Sequence, residues 1–272
     1  MRLSFTRAST RLLALSGCSH MGIAIRDKAE LSMLKEASRV VAAVLDYAKD
    51  IVGEGLSLLE LDGLVEDKIL SLGATPSFKG LYGFPNSACI SVNQVVIHGL
   101  PSSYVLKSGD IVGIDVGTNY NGYYGDGAIT VGVGDVSAED KKLMDCSFDT
   151  LLNAIESIRA GMRFKEISAI LQENIESRGF VPLTGFCGHG IGRKPHEEPS
   201  IPNYLDSGVK IGGPKVKNGM VFCLEPMVCQ KSGEYVILPD KWSVVSRDGL
   251  NASHHEHTVA IIDGKARILT EL

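Results

Sequence analysis

Aromatic residues are scarce: they make up 6% of the 272 residues, with a single tryptophan, Trp242, so any aromatic recognition surface must be small and local. Long apolar runs are missing too. None approaches the ~18 residues a spanning helix needs, which excludes a bundle of membrane-crossing helices. Positive charge is not in excess, since the formal net charge is −5. That balance argues against nucleic acid or an anionic membrane as the main partner. The six cysteines (Cys18, Cys89, Cys146, Cys187, Cys223, Cys229) contain no C-x-x-C pair. A thiolate zinc knuckle is thereby excluded, and in a chain this long the pattern reads as reduced thiols rather than a disulfide framework. Those within apolar stretches such as "MVFCLEPMVCQ" read as small buried hydrophobes.

Acidic residues are absent from one further place: none precedes Asp27. The opening "MRLSFTRASTRLLALSGCSH" carries Arg2, Arg7 and Arg11 among serines and threonines, the composition of an organelle transit peptide. Its "LSGC" is also like a lipoprotein cleavage box, but "LLAL" is shorter than the ~7–15 residues of a secretory core. The reading adopted takes Met21 as the natural start, residues 1–20 as an N-terminal extension, and 21–272 as one compact domain.

What is present begins with helical periodicity. Over residues 28–52, Leu31, Leu34, Ala37, Val41, Val44, Ala48 and Ile51 recur at helical spacing and stop at Gly53. Ser57 and Glu60 then form a capping box, and Gly73 is placed to end a second helix. After two β-rich stretches, helices return behind Ser137 and over "RFKEISAILQENIESRG", and strands dominate from about residue 181. The second half repeats the first. An offset of 106 carries Gly55 to Gly161, Glu60 to Glu166, Ile69 to Ile175 and Pro76 to Pro182. An offset of 110 then lays "KSGDIVGID" on "KNGMVFCLE", superposing Asp115 on Glu225. Such self-similarity implies an α+β unit, internally duplicated about a pseudo-twofold with a site between the halves.

The stretch "IDVGTNYNGYYGD" reads as a hairpin with an aspartate in each arm. Asp115 and Asp126 are symmetric about its midpoint, so pairing there sets them directly opposite on one face, roughly 4.5–5.5 Å apart at Cβ. Like charges so placed repel by about 4 kcal/mol at 4 Å and an effective dielectric of ~20. Glu225, in "MVFCLEPMV", and Glu256, in "HHEHTVAII", are further acids in apolar strand contexts, where an unpaired carboxylate is expensive. Alternation puts His255 and His257 on the face opposite Glu256. Two hairpins facing each other across the pseudo-twofold would bring four carboxylates together, which two divalent cations would neutralise. The bland alternative, solvated acids on edge strands, sits poorly with the apolar flanks of Asp115 and Glu225.

Histidine adds to this. His189 lies among glycines in "GFCGHGIGRKPHEEP", His196 follows seven residues on, and His98 ends the apolar run "QVVIHG". A lone histidine is more often a satisfied polar residue than a ligand, yet Gly188 and Gly190 let backbone pass close to something bulky. Oxygen-rich ligation with one imidazole suits manganese, iron, cobalt or zinc.

Taken together, "NQVVIHGLP", "DIVGIDVG…GYYGD", "FCGHGIGRKPHEEPSIPNY", "CLEPM" and "HHEHT", in that order, resemble the type I methionine aminopeptidases from about residue 21 to the C-terminus. No cysteine-rich zinc region or long insertion of the type II and zinc-finger-bearing forms is present. The resemblance implies the pita-bread fold and a dinuclear centre. It implies Asp115, Asp126, His189, Glu225 and Glu256 as metal ligands, with Asp126 and Glu256 bridging and Glu225 accepting a proton. His98 and His196 match histidines that hold the substrate and stabilise the tetrahedral intermediate. The methionine pocket would be Phe78, Leu81, Phe84, Cys89 and Trp242. Phe78, Leu81 and Phe84 replace the Cys and two Tyr of many bacterial members, and Pro195 stands where an aromatic often precedes the second histidine; all remain apolar. The implied activity is removal of the initiator methionine from nascent polypeptides, favoured by a small second residue. The setting is a cytoplasmic monomer (organellar if residues 1–20 are a transit peptide) in transient contact with the ribosome. The competing readings are a prolidase or aminopeptidase P, and an inactive module of the same fold that binds protein or RNA. The first generally carries an extra N-terminal domain, and the second is disfavoured by a full ligand set.

Overall fold

The computed structural model describes residues 22–206 and 208–272, so the extension 1–20 and the start at Met21 lie outside the described residues. The chain opens with α1 (Lys28–Ile51), α2 (Leu58–Ser71), β1 (Thr75–Pro76), a 3-10 turn (Leu81–Gly83), β2 (Cys89–Val92) and β3 (Val95–Ile97). A long hairpin follows, β4 (Ile111–Tyr120) and β5 (Tyr123–Gly132). Then come α3 (Ala138–Ser157), α4 (Phe164–Glu176), β6 (Val181–Pro182), β7 (Cys187–Gly190), β8 (Glu197–Pro202) and β9 (Val221–Leu224). The chain ends through β10 (Met227–Cys229), β11 (Tyr235–Ile237), β12 (Val244–Ser246), β13 (Ala252–His254), β14 (Glu256–Ile262) and β15 (Lys265–Ile268).

The helices start where their caps dictate. Asp27 accepts from Glu30 N at 2.9 Å to open α1, Ser57 and Glu60 form a reciprocal box at α2, and Ser137 caps α3. Gly73 follows α2 with φ +76, the left-handed turn a helix end favours.

The repeat is visible in the packing. In the first half Leu45, Ala48, Leu61 and Val65 bury against Val112 and Ile114 of β4. In the second, Leu151, Ala154, Ile167 and Leu171 bury against Phe222 and Leu224 of β9. These are the same positions under the offsets of 106 and 110. Two-residue β1 and β6 likewise stand 106 apart, at Thr75–Pro76 and Val181–Pro182.

One point of the expected arrangement changes. The halves do not set two hairpins face to face. They join edge to edge in one antiparallel sheet of order β1-β4-β5-β14-β9-β7-β8, with β2 also on β4 and β15 also on β14. The pseudo-twofold therefore passes between β5 and β14. Alternation along the strands separates two faces: Val112, Ile114, Phe222 and Leu224 meet the helices, so Asp115, Cys223 and Glu225 point to the other face. Two small sheets, β13-β10-β6 and β11-β12-β3, complete the strand inventory of the described residues. No described helix is long and apolar enough to cross a membrane.

Candidate metal centre

Register decides which side chains meet. Tyr120 pairs with Tyr123, so the turn is the two-residue Asn121-Gly122, with φ +53 and +77. Both positive values are what a type I′ hairpin requires. The consequence corrects the expected pairing: Asp115 lies opposite Ala128, and Asp126 lies opposite Gly117. The two aspartates share a face but are diagonal neighbours, further apart than a direct pair. On the next strand Glu256 is opposite Ala128. Beyond it, Thr258 faces Cys223, and Glu225 follows the end of β9. His189 is next to Gly190, which faces Phe222. Asp115, Asp126, Glu256, Glu225 and His189 thus come from five neighbouring strand positions on one face.

Within this group His189 Nε2 is 3.6 Å from Glu225 Oε1 and 3.9 Å from Asp126 Oδ2. Its Nδ1 lies 3.0 Å from the Gly190 carbonyl oxygen, which only accepts, so the hydrogen is on Nδ1 and Nε2 presents a bare lone pair. Burial, reinforced by His196, lowers the His189 pKa to about 3, so the ring is neutral despite its acidic neighbours. Those neighbours are costly to ionise. Burial pushes Asp115 up to about 7, and burial followed by nearby acidic groups pushes Asp126, Glu225 and Glu256 well above the carboxylate range. Asp115 Oδ1 and Glu256 Oε1 are buried without any hydrogen-bond partner. A neutral imidazole lone pair among carboxylates that are costly to ionise unaided is the chemistry of a divalent-cation cage. The residues fit the ion.

The neighbours of the cage fall into two groups. His196 contacts His189 edge-on at 4.5 Å between centroids, and His98 contacts Phe186 at 5.6 Å. Burial lowers both, His98 to about 4, so each is a neutral hydrogen-bonding group. The turn before His196 is pinned: Glu197 accepts from Arg193 N at 2.9 Å and Lys194 N at 3.1 Å and pairs with the Arg26 guanidinium. The second group is apolar. Phe78, Phe84 and Cys89 are buried together, with Leu81, Leu100 and Trp242 packed on them. Trp242 meets Phe84 edge-on at 5.2 Å. Cys89 pairs with Asp115 in the sheet, so this cluster adjoins the cage. Gly117 makes room for it, since a Cβ there would lie 2.5 Å from the Phe78 ring. Asp62 fixes the loop between, accepting from Asn86 Nδ2 at 2.7 Å and from Ser87 N and Ala88 N at 3.0 and 2.9 Å.

Sequence reasoning overlooked four residues here. Leu100 completes the apolar cluster. Gly117 clears space for Phe78. Tyr82 stacks on His196 at 6.2 Å from a left-handed backbone, φ +51. Cys223 places its Sγ in a set with donor atoms of Asp126, His189 and Glu256, all within 4.8 Å of one another. Cys223 alone had a readable signal, standing two residues before Glu225 and so on its face. His255 and His257 turn away, bonding Ser147 at 2.7 Å and Thr270 at 2.8 Å.

Comparison with known proteins agrees with this geometry. The pattern of metallopeptidase family M24 matches residues 32–263. A methionine aminopeptidase of Helicobacter pylori is 61% identical over 252 residues, covering 92% of this chain and 100% of that one. The crystal structure of methionine aminopeptidase from Thermotoga maritima superposes with a TM-score of 0.89 at 37% identity, covering 92% of this chain and 100% of that one. The prolidase from Pyrococcus furiosus shares the fold less closely, at TM-score 0.74 and 25% identity, and this chain covers 65% of its length. The α+β architecture is therefore the pita-bread fold, and the chain belongs to metallopeptidase family M24, among its methionine aminopeptidases.

Proposed function

We propose that the chain removes the initiator methionine from nascent polypeptides with a small second residue, using two divalent ions held by Asp115, Asp126, His189, Glu225 and Glu256. The observation that carries this is the juxtaposition of the cage with the apolar cluster of Phe78, Leu81, Phe84, Cys89 and Trp242. The cluster offers apolar surroundings to a methionine side chain, whose carbonyl would then lie beside the acids. When bound, the ions supply Lewis acidity and acidify water. Asp126 and Glu256, on the two central strands, would be the carboxylates shared between the ions. Glu225, beside the His189 lone pair, accepts the proton released as water adds to the carbonyl. His98 and His196, held neutral by burial, hold the substrate and donate hydrogen bonds to the oxyanion that develops. The same reading takes residues 21–272 as one catalytic domain of a cytoplasmic monomer in transient contact with the ribosome, and manganese, iron, cobalt or zinc as the ion.

Hydrolysis of Met-Ala-Ser, Met-Lys-Ser and Ala-Pro-Ala, with chelator and metal add-back, tests it. Met-Ala-Ser is the expected best substrate, dependent on added metal. Activity surviving thorough metal removal would overturn the mechanism, and preference for Ala-Pro-Ala would overturn the substrate assignment.

A further inference from the structure

Cys223 is the member of the cage that an oxygen-and-imidazole site does not call for. The sheet fixes its position: it faces Thr258 on β14, one residue along from Phe222, the partner of Gly190. Its side chain is fully buried, with Sγ 3.5 Å from Thr258 Oγ1. From there Sγ, one nitrogen of His189 and one carboxylate oxygen each of Asp126 and Glu256 lie within 4.8 Å of one another. A second observation points the same way: Glu256 is 3% exposed, yet its Oε1 has no hydrogen-bond partner. Four donors, one soft, one borderline and two hard, match the N/O/S sets that zinc accepts, whereas manganese favours oxygen.

We propose that Cys223 Sγ is a ligand for thiophilic divalent cations, giving this cage a sulfur bond that manganese would not use. The inference rests on the metal-cage reading of the site. As the cation enters, the S–H bond breaks, a sulfur–metal bond forms and the proton leaves to solvent; no oxidant or reductant takes part. A divalent charge reverses the acidic surroundings that otherwise oppose a thiolate. Asp115 and Glu225 lie outside the four-donor set.

The test is titration of metal-free protein with Cd(II) and, separately, Mn(II), followed by ultraviolet absorption and calorimetry. Cd(II) should raise a sulfur-to-metal charge-transfer band that saturates at a single equivalent. Cys223→Ser should abolish it and weaken Cd(II) binding by about tenfold or more, while changing Mn(II) affinity far less. Cys187→Ser, altering the partly exposed thiol two residues from His189, should retain the band. The wild-type band needs no variant, and Cys223→Ala repeats the comparison should the serine protein fold poorly. Overturning results are a wild-type protein that binds Cd(II) without the band, or a band that survives in Cys223→Ser. If neither cation binds the wild-type protein, the cage reading itself falls, a result distinct from the loss of the thiolate alone.

Discussion

The two halves of the molecule use one frame differently. In the first, β4 and β5 are joined by Asn121-Gly122, and the acids are Asp115 and Asp126, set diagonally. In the second, the corresponding strands β9 (Val221–Leu224) and β14 (Glu256–Ile262) are separated by β10 through β13, and the acids are the longer Glu225 and Glu256. The helices and core positions repeat under constant offsets, while this connection does not. The inserted segment carries Trp242, which closes the apolar cluster against Phe84 from the first half. Duplication thus accounts for the acidic group, and the departure from duplication supplies one wall of the apolar cluster.

Asp126 and Glu256 lie on the central strands either side of the pseudo-twofold, both 3% exposed. If the halves contribute equally to the cage, Asp126→Ala and Glu256→Ala should each abolish turnover together with metal binding. The loss should exceed the roughly 100-fold that removing a supporting partner of a ligand costs. Calorimetric metal titration beside peptide hydrolysis reads both quantities. Full metal affinity in either variant breaks the symmetry of the cage.

The histidines sharpen the comparison, because the first half supplies His98 and the second supplies His189 and His196. His98 titrates at about 4 in the folded protein against 6.5 ordinarily, because burial and His196 oppose its charge. As pH falls below 6.5 the unfolded chain takes up this proton first, so the contribution is complete above 6.5 and is lost towards pH 4. At 1.36 kcal/mol for each tenfold change in proton affinity, the gap is worth about 3 kcal/mol, or about 6–12 °C in Tm. His98→Asn should therefore flatten the acid limb of Tm against pH while sparing metal content. Identical acid limbs in the two proteins would show that His98 is not held neutral by the fold.

Next in size is the insertion. Trp242→Ala should raise KM for methionyl peptides by about 10–200-fold, the range that apolar pocket contacts contribute. Metal affinity should not move. A loss of metal would place the inserted segment in the cage as well as the pocket.

Much of this frame was legible in the chain. Helix caps and periodicity are local, so Ser57 and Ser137 open helices where their residue types require. Relating the halves was legible too, because the offsets are written in residue identities. Two things were harder to read. The edge-to-edge union of β5 with β14 depends on hydrogen bonds between residues about 130 apart, such as Glu256 opposite Ala128, and no local pattern encodes them. Cys223 was hidden by its type, since a cysteine in "MVFCLE" is usually a small hydrophobe. Only the alternation shared with Glu225 set it on the acidic face.

The smallest effect concerns the turn that displaces Asp115 from Asp126. Gly122 has φ +77, and a Cβ there would meet nothing nearer than Arg193 Nη1 at 3.6 Å. Gly122→Ala therefore adds backbone strain without a clash, about 1 kcal/mol, and should lower Tm by about 2–4 °C. Metal affinity and kcat/KM should hold, because the ten ladder pairs from Ile111↔Gly132 to Tyr120↔Tyr123 keep register independently of one side chain. A one-residue slip would instead send an aspartate to the helix face and out of the acidic group. Loss of metal binding at nearly unchanged Tm would show that the turn, rather than the ladder, fixes the diagonal placement of Asp115 and Asp126.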